Sequence, residues 1–319
     1  MDSVRSILVI VDPTAAVHPC VVKAARIASA FHAAVELVIC DVDRSFAASN
    51  FYDAETCAVV RGRAILTHQG LLETLAEPLR ASGLTVATNV ILENPLHKGL
   101  LAQIRQVKPD LVVKDTHYHS AIRRVLMTNT DWHLVRECPA ALMLVKARDW
   151  PQGSINVASA VDPGHADDKP WSLDHEIIGT MEYLATGLPM DMSVVNAFSV
   201  VDDVIAASAA GTVESVVIGA SPIENSRRNQ LATLAKLVTG HRIDASRVHL
   251  LEGAALAALP KYVESDHTDI LIMGAIARGR LFNYFIGSTA ESALDRLSCD
   301  VLIVKPLQLA RQMWSQGVA

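Results

Sequence analysis

A run of glycine and hydroxyl residues in the second half of the chain has the composition of an anion-binding loop. Gly274 follows a short apolar stretch, and Gly287-Ser288-Thr289 stands where a helix is predicted to begin. Gly274 and Gly279 permit the backbone to approach a ligand closely, and Ser or Thr caps a helix start. Because free N–H groups at a helix N-terminus attract anions, the pattern suits phosphate. Glycines between a strand and a helix are also ordinary turn residues, so both interpretations stay open.

Other residues with chemical potential form weaker patterns. Asp115, His117 and His119 combine carboxylate and imidazole groups, which suit zinc, although two histidines in a loop are also common surface residues. No Ser/His/Asp or Cys/His constellation has a strand–turn–helix context, so no catalytic residue is assigned. Four cysteines beside apolar runs are expected to be buried and inert, namely Cys20, Cys40, Cys138 and Cys299.

The bulk composition indicates a globular protein of about two domains. The chain has 319 residues, of which 50% are hydrophobic and 19% charged, with a net charge of −6. No basic cluster suggests a nucleic-acid partner, and no apolar run reaches the ~18 residues of a membrane span. The five scattered cysteines favour a reducing compartment, so a cytoplasmic location is expected. The first apolar run ends at Asp12-Pro13 and predicts a strand rather than a signal peptide.

An internal repeat divides the chain. The run that ends in Asp12-Pro13 returns as the run that ends in Asp162-Pro163, and Asp110 with its apolar stretch returns 159 residues later as Asp269. A polar stretch at residues 147–154, with Pro and Gly, separates the copies. We therefore expect two tandem domains, residues 1–150 and residues 151–319.

Each copy alternates apolar strands with amphipathic helices. This alternation predicts an α/β fold in which each domain has a doubly wound parallel sheet. Ligands of such sheets bind at the carboxyl ends of the strands, which is where Asp12, Asp162 and the glycine-bearing loop fall. The predicted strands are residues 6–11, 34–42, 85–92, 110–113 and 140–145, then 155–161, 190–197, 248–251, 269–273 and 300–304; the predicted helices of the first half are 20–31, 58–82, 97–106 and 131–136.

The chain resembles the universal stress protein family (UspA superfamily) over nearly its whole length, in the tandem, two-domain UspE-like type. The residues that carry this resemblance are Asp12, Asp162, Met273-Gly274, the run 286–291, the closing run 299–306, and in the first half the run 130–136 with Cys138-Pro139. The resemblance implies an adenine nucleotide alpha hydrolase-like fold. It also implies that the halves pack as an intramolecular pseudo-dimer, with strands 140–145 and 301–304 meeting.

The resemblance further implies a nucleotide site in the second half. Nucleotide-binding members carry Gly-X2-Gly-X9-Gly followed by Ser or Thr; here Gly274 and Gly287 keep the total spacing, whereas Ala277 replaces the middle glycine. The implied ligand is ATP, with Mg²⁺, or another phosphorylated metabolite. The implied binding residues are Asp162 near the adenine, the Ala197 backbone beside base or ribose, the loop residues Gly274, Ala277 and Gly279, and Gly287, Ser288 and Thr289 on the phosphates.

The first copy departs from this pattern. The 159-residue offset places Asp115 opposite Gly274, Tyr118 opposite Ala277, and the run 128–130 opposite 287–289. An acidic and a bulky residue would oppose a triphosphate, so this copy is interpreted as non-nucleotide-binding or as specific for another ligand. Asp12 is expected to serve as a turn or cap residue.

The resemblance implies a stress-response protein that acts as a ligand-binding, regulatory module with a small-molecule partner. One alternative is a slow ATP hydrolase, for which the chain offers no convincing base; Glu291 equally suits a helix cap. Another alternative is a ligand-free scaffold that acts through protein contacts. Whether the protein is an enzyme, and whether it dimerises further, both stay open.

Overall fold

The computed structural model describes residues 3–42, 53–119, 124–146, 149–163, 172–199, 220–274 and 294–315. The chain divides into two compact units. The first comprises Met1–Ile122, Leu126–Trp150 and Leu307–Ala319, and the second comprises Arg123–Val125 and Pro151–Pro306. The expected domains, residues 1–150 and 151–319, differ from this division in the last segment, Leu307–Ala319, which groups with the first unit.

The first unit alternates strands with helices. Its elements are β1 (Ser6–Ile10), α1 (Pro19–Phe31), β2 (Ala34–Asp41), α2 (Ala54–Ala81), β3 (Val86–Leu92), α3 (Leu96–Val107), β4 (Leu111–Asp115), β5 (His117–His119), β6 (Arg124–Leu126, which the unit boundary crosses), α4 (Asn129–Glu137) and β7 (Ala141–Val145).

The main sheet of the first unit has the strand order β7-β4-β1-β2-β3, and all these pairings are parallel. Strand β1 is central, and its residues Ile7–Ile10 are almost completely buried, as expected of a strand covered on both faces. The order reverses at β1, because β2 and β4 lie on its two sides. The sheet therefore has a topological switch point at the carboxyl end of β1.

The second unit repeats this arrangement. Its elements are β8 (Ile155–Ala160), α5 (Ser172–Leu184), β9 (Met190–Phe198), α6 (Ala220–Val238), a short 3-10 turn (Ala245–Arg247), β10 (Val248–Glu252), α7 (Ala255–Ser265), β11 (Ile270–Gly274) and β12 (Asp300–Val304). The parallel strand order is β10-β9-β8-β11-β12, so β8 takes the central position that β1 has in the first unit. The predicted α/β fold with parallel sheets is confirmed.

Two helices differ from the sequence-based expectation. Helix α2 begins at Ala54 rather than at residue 58, because the Asp53 side chain accepts a hydrogen bond from Thr56 N at 2.7 Å and caps the first turn. A final helix, α8 (Leu307–Ser315), follows Pro306 and was not predicted. It is short, and no repeat of it exists in the first half to reveal it.

Candidate functional site

Adjacent strand ends in the second unit bring three of the predicted site residues to one edge of the sheet. Strand β8 lies between β9 and β11, with Ala160 paired to Val195 on one side and to Met273 on the other. Asp162 comes just after β8, Ala197 lies near the end of β9, and Gly274 ends β11. This edge is the topological switch point of the second unit, where ligands of open parallel sheets bind.

The remaining predicted residues lie outside the described residues. These are Ala277, Gly279, Gly287, Ser288 and Thr289. Their assignment to phosphate binding therefore stays a prediction.

Gly274 has a packing role that the sequence did not reveal. A Cβ at this position would lie 2.6 Å from Leu173 Cδ2 and 3.3 Å from Ile177 Cδ1, both on α5. Such distances are shorter than a van der Waals contact, so the missing side chain lets α5 approach the end of β11. Close helix–strand packing is thus sufficient to explain this glycine, whether or not the backbone also meets a ligand.

Asp162 is held in place through its backbone. The Asp162 N–H donates to Asp174 Oδ1 at 3.2 Å, and Asp174 is a buried residue in the first turn of α5. Helix α5 therefore contacts both Asp162 and Gly274. It fixes the spacing of the two strand ends that border the candidate site.

A buried amide at the end of β9 was missed by sequence analysis. Asn196 is 2% exposed, and its Nδ2 donates to the Val161 carbonyl at 3.0 Å. Val161 directly precedes Asp162, so this bond ties β9 to the start of the Asp162 turn. The sequence shows only a single amide within an apolar run, and such a residue occurs both at the surface and in the core of a protein.

The corresponding edge of the first unit is occupied by its own side chains. Asp115, at the position of Gly274, accepts a hydrogen bond from Cys20 N at 2.8 Å and so satisfies the start of α1. Burial raises the pKa of this carboxyl above its usual value, against the lowering effect of the Cys20 hydrogen bonds and of nearby His18 and Lys114.

At the start of α4, side chains of the first unit again take the place that an anionic ligand could occupy. Thr128, opposite Gly287, and Asp131 form a capping box: Thr128 N donates to Asp131 Oδ2 at 2.7 Å, and Asp131 N donates to Thr128 Oγ1 at 3.2 Å. Lys114 Nζ lies 2.7 Å from Asp131 Oδ1, and Asp131 is completely buried. The carboxylate of Asp131 thus sits at a helix N-terminus beside a cation, where an anionic ligand would otherwise be favoured.

Asp12 has the local role expected of it. Its Oδ1 accepts hydrogen bonds from Thr14 N at 2.8 Å and from Thr14 Oγ1 at 2.7 Å. This is an Asx turn after β1, and it confirms the prediction of a turn residue.

The zinc site suggested by Asp115, His117 and His119 stays a prediction. No cluster of three or more His, Cys, Asp or Glu residues that could hold a metal occurs in the part of the chain that the structure describes. That part does not include the side chains of His117 and His119. The four cysteines expected to be inert are buried, as predicted.

The fold and the switch-point edge define a class, the parallel α/β proteins that bind ligands at the carboxyl ends of central strands. The family model for the universal stress protein family matches residues 3–146 and 190–305. The chain belongs to the universal stress protein family.

Relatives of the tandem type match almost the full length. The chain is 25% identical over 313 residues to universal stress protein E of Salmonella typhi, covering 96% of both chains. It is 24% identical over 315 residues to universal stress protein E of Escherichia coli K12, covering 97% of this chain and 96% of the other. A crystal structure of a putative universal stress protein from Pseudomonas aeruginosa UCBPP-PA14 has the same fold, with a TM-score of 0.76, 22% identity, and coverage of 100% and 99%.

Family membership supports a role in the stress response. None of the helices described is long and apolar enough to cross a membrane.

Proposed function

We propose that this protein is a stress-response, ligand-binding module in the cytoplasm that holds ATP, or another phosphorylated metabolite, in its second unit. The observation that carries the proposal is the contrast between the two switch points. In the second unit the edge offers Asp162, the Ala197 backbone and Gly274, followed in sequence by Gly287-Ser288-Thr289. In the first unit Asp115 stands at the position of Gly274, and Asp131, opposite Ala290, caps the helix start that corresponds to Gly287-Ser288-Thr289.

The described residues fit the base end of a nucleotide. The Asp162 carboxylate is an acceptor suited to base or ribose donors, and the Ala197 backbone offers a donor and an acceptor at the end of its strand. The phosphates would lie on Gly287, Ser288 and Thr289, with Ala277 and Gly279 in the intervening loop. Bound Mg²⁺ would neutralise phosphate charge, which the acidic balance of this chain makes useful.

The first experiment identifies the ligand. Purified protein is denatured, and any released small molecule is identified by mass spectrometry. Calorimetric titration with ATP, with and without Mg²⁺, then gives the affinity and stoichiometry. We expect one nucleotide per chain; two would show that the first unit also binds. Failure to bind ATP or any co-purifying phosphorylated compound would refute the proposal and favour a scaffold that acts through protein contacts.

The second experiment locates the site with three variants, of which Asp162→Ala and Asp12→Ala change equivalent residues of the two units. Asp162→Ala and Gly287→Val are expected to abolish binding, the latter because a β-branched side chain obstructs the loop. Asp12→Ala removes the equivalent aspartate of the first unit and should leave the affinity unchanged. Loss of binding in Asp12→Ala alone would move the site to the first unit. Phosphate release from saturating ATP above a protein-free control would indicate the hydrolase alternative.

A further inference from the structure

Two histidines and a glutamate of the second unit are joined by hydrogen bonds. Glu182 Oε2 lies 2.9 Å from His241 Nδ1, and His241 Nε2 lies 2.9 Å from His175 Nδ1. The other oxygen of Glu182 accepts a hydrogen bond from the Arg242 N–H. His175 and Glu182 belong to α5, whereas His241 follows α6, so the three residues tie α5 to the end of α6. We call His175, His241 and Glu182 the histidine latch.

The first unit forms the corresponding helix without these side chains. Helices α1 and α5 bury equivalent positions at an offset of 153 residues, namely Cys20 and Leu173, Ala24 and Ile177, and Ala28 and Met181. At this offset Val22, which is 67% exposed, stands opposite His175, and Ser29 stands opposite Glu182. Formation of the helix therefore does not require the latch.

Glu182 determines which ring nitrogens carry protons. Burial raises the pKa of this carboxyl, but the hydrogen bonds from His241 and from the Arg242 N–H, together with the charges of both residues, lower it below its ordinary value. The ionised carboxylate can only accept, so His241 Nδ1 donates to it. In a neutral imidazole the other nitrogen is then an acceptor. His175 Nδ1 therefore carries the proton of the bond between the two rings.

The bond between the rings accommodates one added proton but not two. The first can bind at His175 Nε2, which leaves the bond in place. A second would put N–H groups on both His175 Nδ1 and His241 Nε2, which are only 2.9 Å apart, so the rings must separate. The open latch thus binds one proton more than the closed latch. By linkage, falling pH favours opening by up to about 10-fold per pH unit.

Other charged residues around the latch are mostly in contact with solvent. At this end of α5 and α6, and on the strands that these helices cover, they are Asp174 and Glu176 on α5, Lys236 in the last turn of α6, Arg242 and Asp244 after it, Asp191 on β9, and His249 and Glu252 on β10. Lys236, Arg242, Asp244, Asp191 and Glu252 are exposed, so solvent screens their charges. Glu182 is 16% exposed and His241 14%, so their interaction is screened much less.

The latch holds the helix that borders the candidate site. His175 directly follows Asp174, whose Oδ1 accepts the hydrogen bond from Asp162 N, and Leu173 packs against Gly274. We propose that the histidine latch is a pH-sensitive switch, in which a second proton separates His175 from His241 and the first turn of α5 then releases Asp162. This inference goes beyond the proposed function, because the switch requires no bound ligand.

Nitrogen NMR of the protein labelled with isotopic histidine tests the closed latch. At pH 8 we expect the rings of His175 and His241 each to carry a single proton on Nδ1. The variants His175→Asn and His241→Asn identify the two sets of signals. A proton on Nε2 of either ring at pH 8 would overturn the proposal, because the bonds to Glu182 and between the rings could not then both form.

Amide hydrogen exchange at Asp162 measures the opening. Its protection, relative to an unstructured chain at the same pH, is compared at pH 7.5 and pH 5 in the wild type and in His175→Asn. The asparagine amide can donate to a neutral His241 ring and, after turning, accept from a protonated one. We expect protection to fall about 10-fold at pH 5 in the wild type, the factor for one hydrogen bond, and not in His175→Asn. Equal falls in both proteins, or no fall in the wild type, would contradict the proposal.

Two further variants complete the comparison. His267→Asn changes an exposed histidine of the same unit and should retain the wild-type fall. His175→Val carries the residue type of the first unit and cannot form the bond, so Asp162 should be about 10-fold less protected at both pH values. Wild-type protection in His175→Val at pH 7.5 would show that the latch does not act on Asp162. All these measurements are made without nucleotide, so a failure of the latch and a failure of ATP binding are separate results.

Discussion

Lys114 Nζ lies 2.7 Å from Asp131 Oδ1 in the first unit, and neither side chain is appreciably exposed. The two residues stand opposite Met273 and Ala290 of the second half, neither of which can carry a charge. The cation and the anion therefore occur together in the first half, and both are missing from the second. The Asp131 carboxylate caps the start of α4, and the Lys114 ammonium group compensates its negative charge.

Removal of the Lys114 charge alone should destabilise the folded protein. Lys114→Met leaves the Asp131 carboxylate buried without its ion-pair partner, and we expect a loss of about 3–5 kcal/mol in the free energy of unfolding. The double variant Lys114→Met/Asp131→Ala carries the residue types of the second half and should recover much of this loss. Urea unfolding of both variants measures the difference. Asp131→Ala alone, which also loses the α4 capping box, completes the cycle; a double variant whose loss equals the sum of the two single losses would show that the two charges are not coupled.

An exposed pair in the same unit provides the control. Arg80 Nη1 and Glu73 Oε2 are 2.5 Å apart, but both side chains are close to half exposed. Solvent screens such a pair, so Glu73→Gln should change the urea midpoint very little. A loss as large as that of Lys114→Met would mean that burial is not what distinguishes the two pairs.

A pair of stacked histidines should make the stability of the first unit depend on pH. The rings of His97 on α3 and His133 on α4 stack with centroids 3.6 Å apart, and His133 Nδ1 lies 2.6 Å from Glu137 Oε1. Burial and the neighbouring His133 lower the pKa of His97 below its ordinary value near 6.5, with a smaller contribution from Lys98 and opposition from Glu137. The unfolded chain therefore binds a proton at His97 more readily than the folded protein does.

The consequence is a loss of stability in acid. The stabilisation linked to His97 is complete well above pH 6.5, where the side chain is neutral in both states, and is lost as the pH falls through 6.5 toward the lower pKa of the folded protein. His97→Phe keeps a stacking ring but cannot be protonated, so its urea midpoint should fall less between pH 8 and pH 5 than that of the wild type. His32→Asn, a change at an exposed position, should retain the wild-type dependence. Parallel curves for His97→Phe and the wild type would refute the assignment.

Gly274 should be intolerant of a side chain even in the absence of any ligand. Because the added Cβ of Gly274→Ala would lie 2.6 Å from Leu173 Cδ2, we expect a loss of about 1–3 kcal/mol in unfolding free energy. Leu173→Ala in the same chain should relieve the contact, so the combined loss should be smaller than the sum of the two single losses. Additive losses would mean that the two side chains do not meet.

Gly70→Ala is the matched control for that experiment. Gly70 lies within α2, and no atom is found within 4 Å of a Cβ built there. Alanine favours the helix over glycine by about 1 kcal/mol, so this variant should be as stable as the wild type or more stable.

The sequence was sufficient to predict the parts of the molecule that depend on local pattern. Apolar runs such as Ile7–Ile10 identify strands buried on both faces, and the repeat places Asp12 and Asp162 after equivalent strands. The parallel direction of the strands follows from the alternation of strands and helices. Ala197 and Gly274 then fall at one edge because β9 and β11 flank β8.

What the sequence did not predict depends on contacts between distant residues. Lys114 within an apolar strand and Asp131 in a polar helix start give no indication that they meet until the fold brings them together. Asn196 is equally ambiguous, because an amide in a strand is found both at the surface and in the core. Gly274 was assigned to ligand approach, whereas its packing against Leu173 is visible only once α5 is placed.

The cysteines should differ sharply in reactivity. Cys57, in the exposed half of α2, is the only partly accessible thiol among those described, whereas Cys20, Cys40, Cys138 and Cys299 are buried. Burial, with Glu93 and Asp41, raises the pKa of Cys40 to about 12, so almost no thiolate forms there at pH 8. A disulfide reagent at pH 8 should modify one thiol per chain rapidly and the other four only after denaturation. Cys57→Ser should abolish the rapid phase; a rapid phase that persists in this variant would show that a buried thiol becomes accessible through opening of the core.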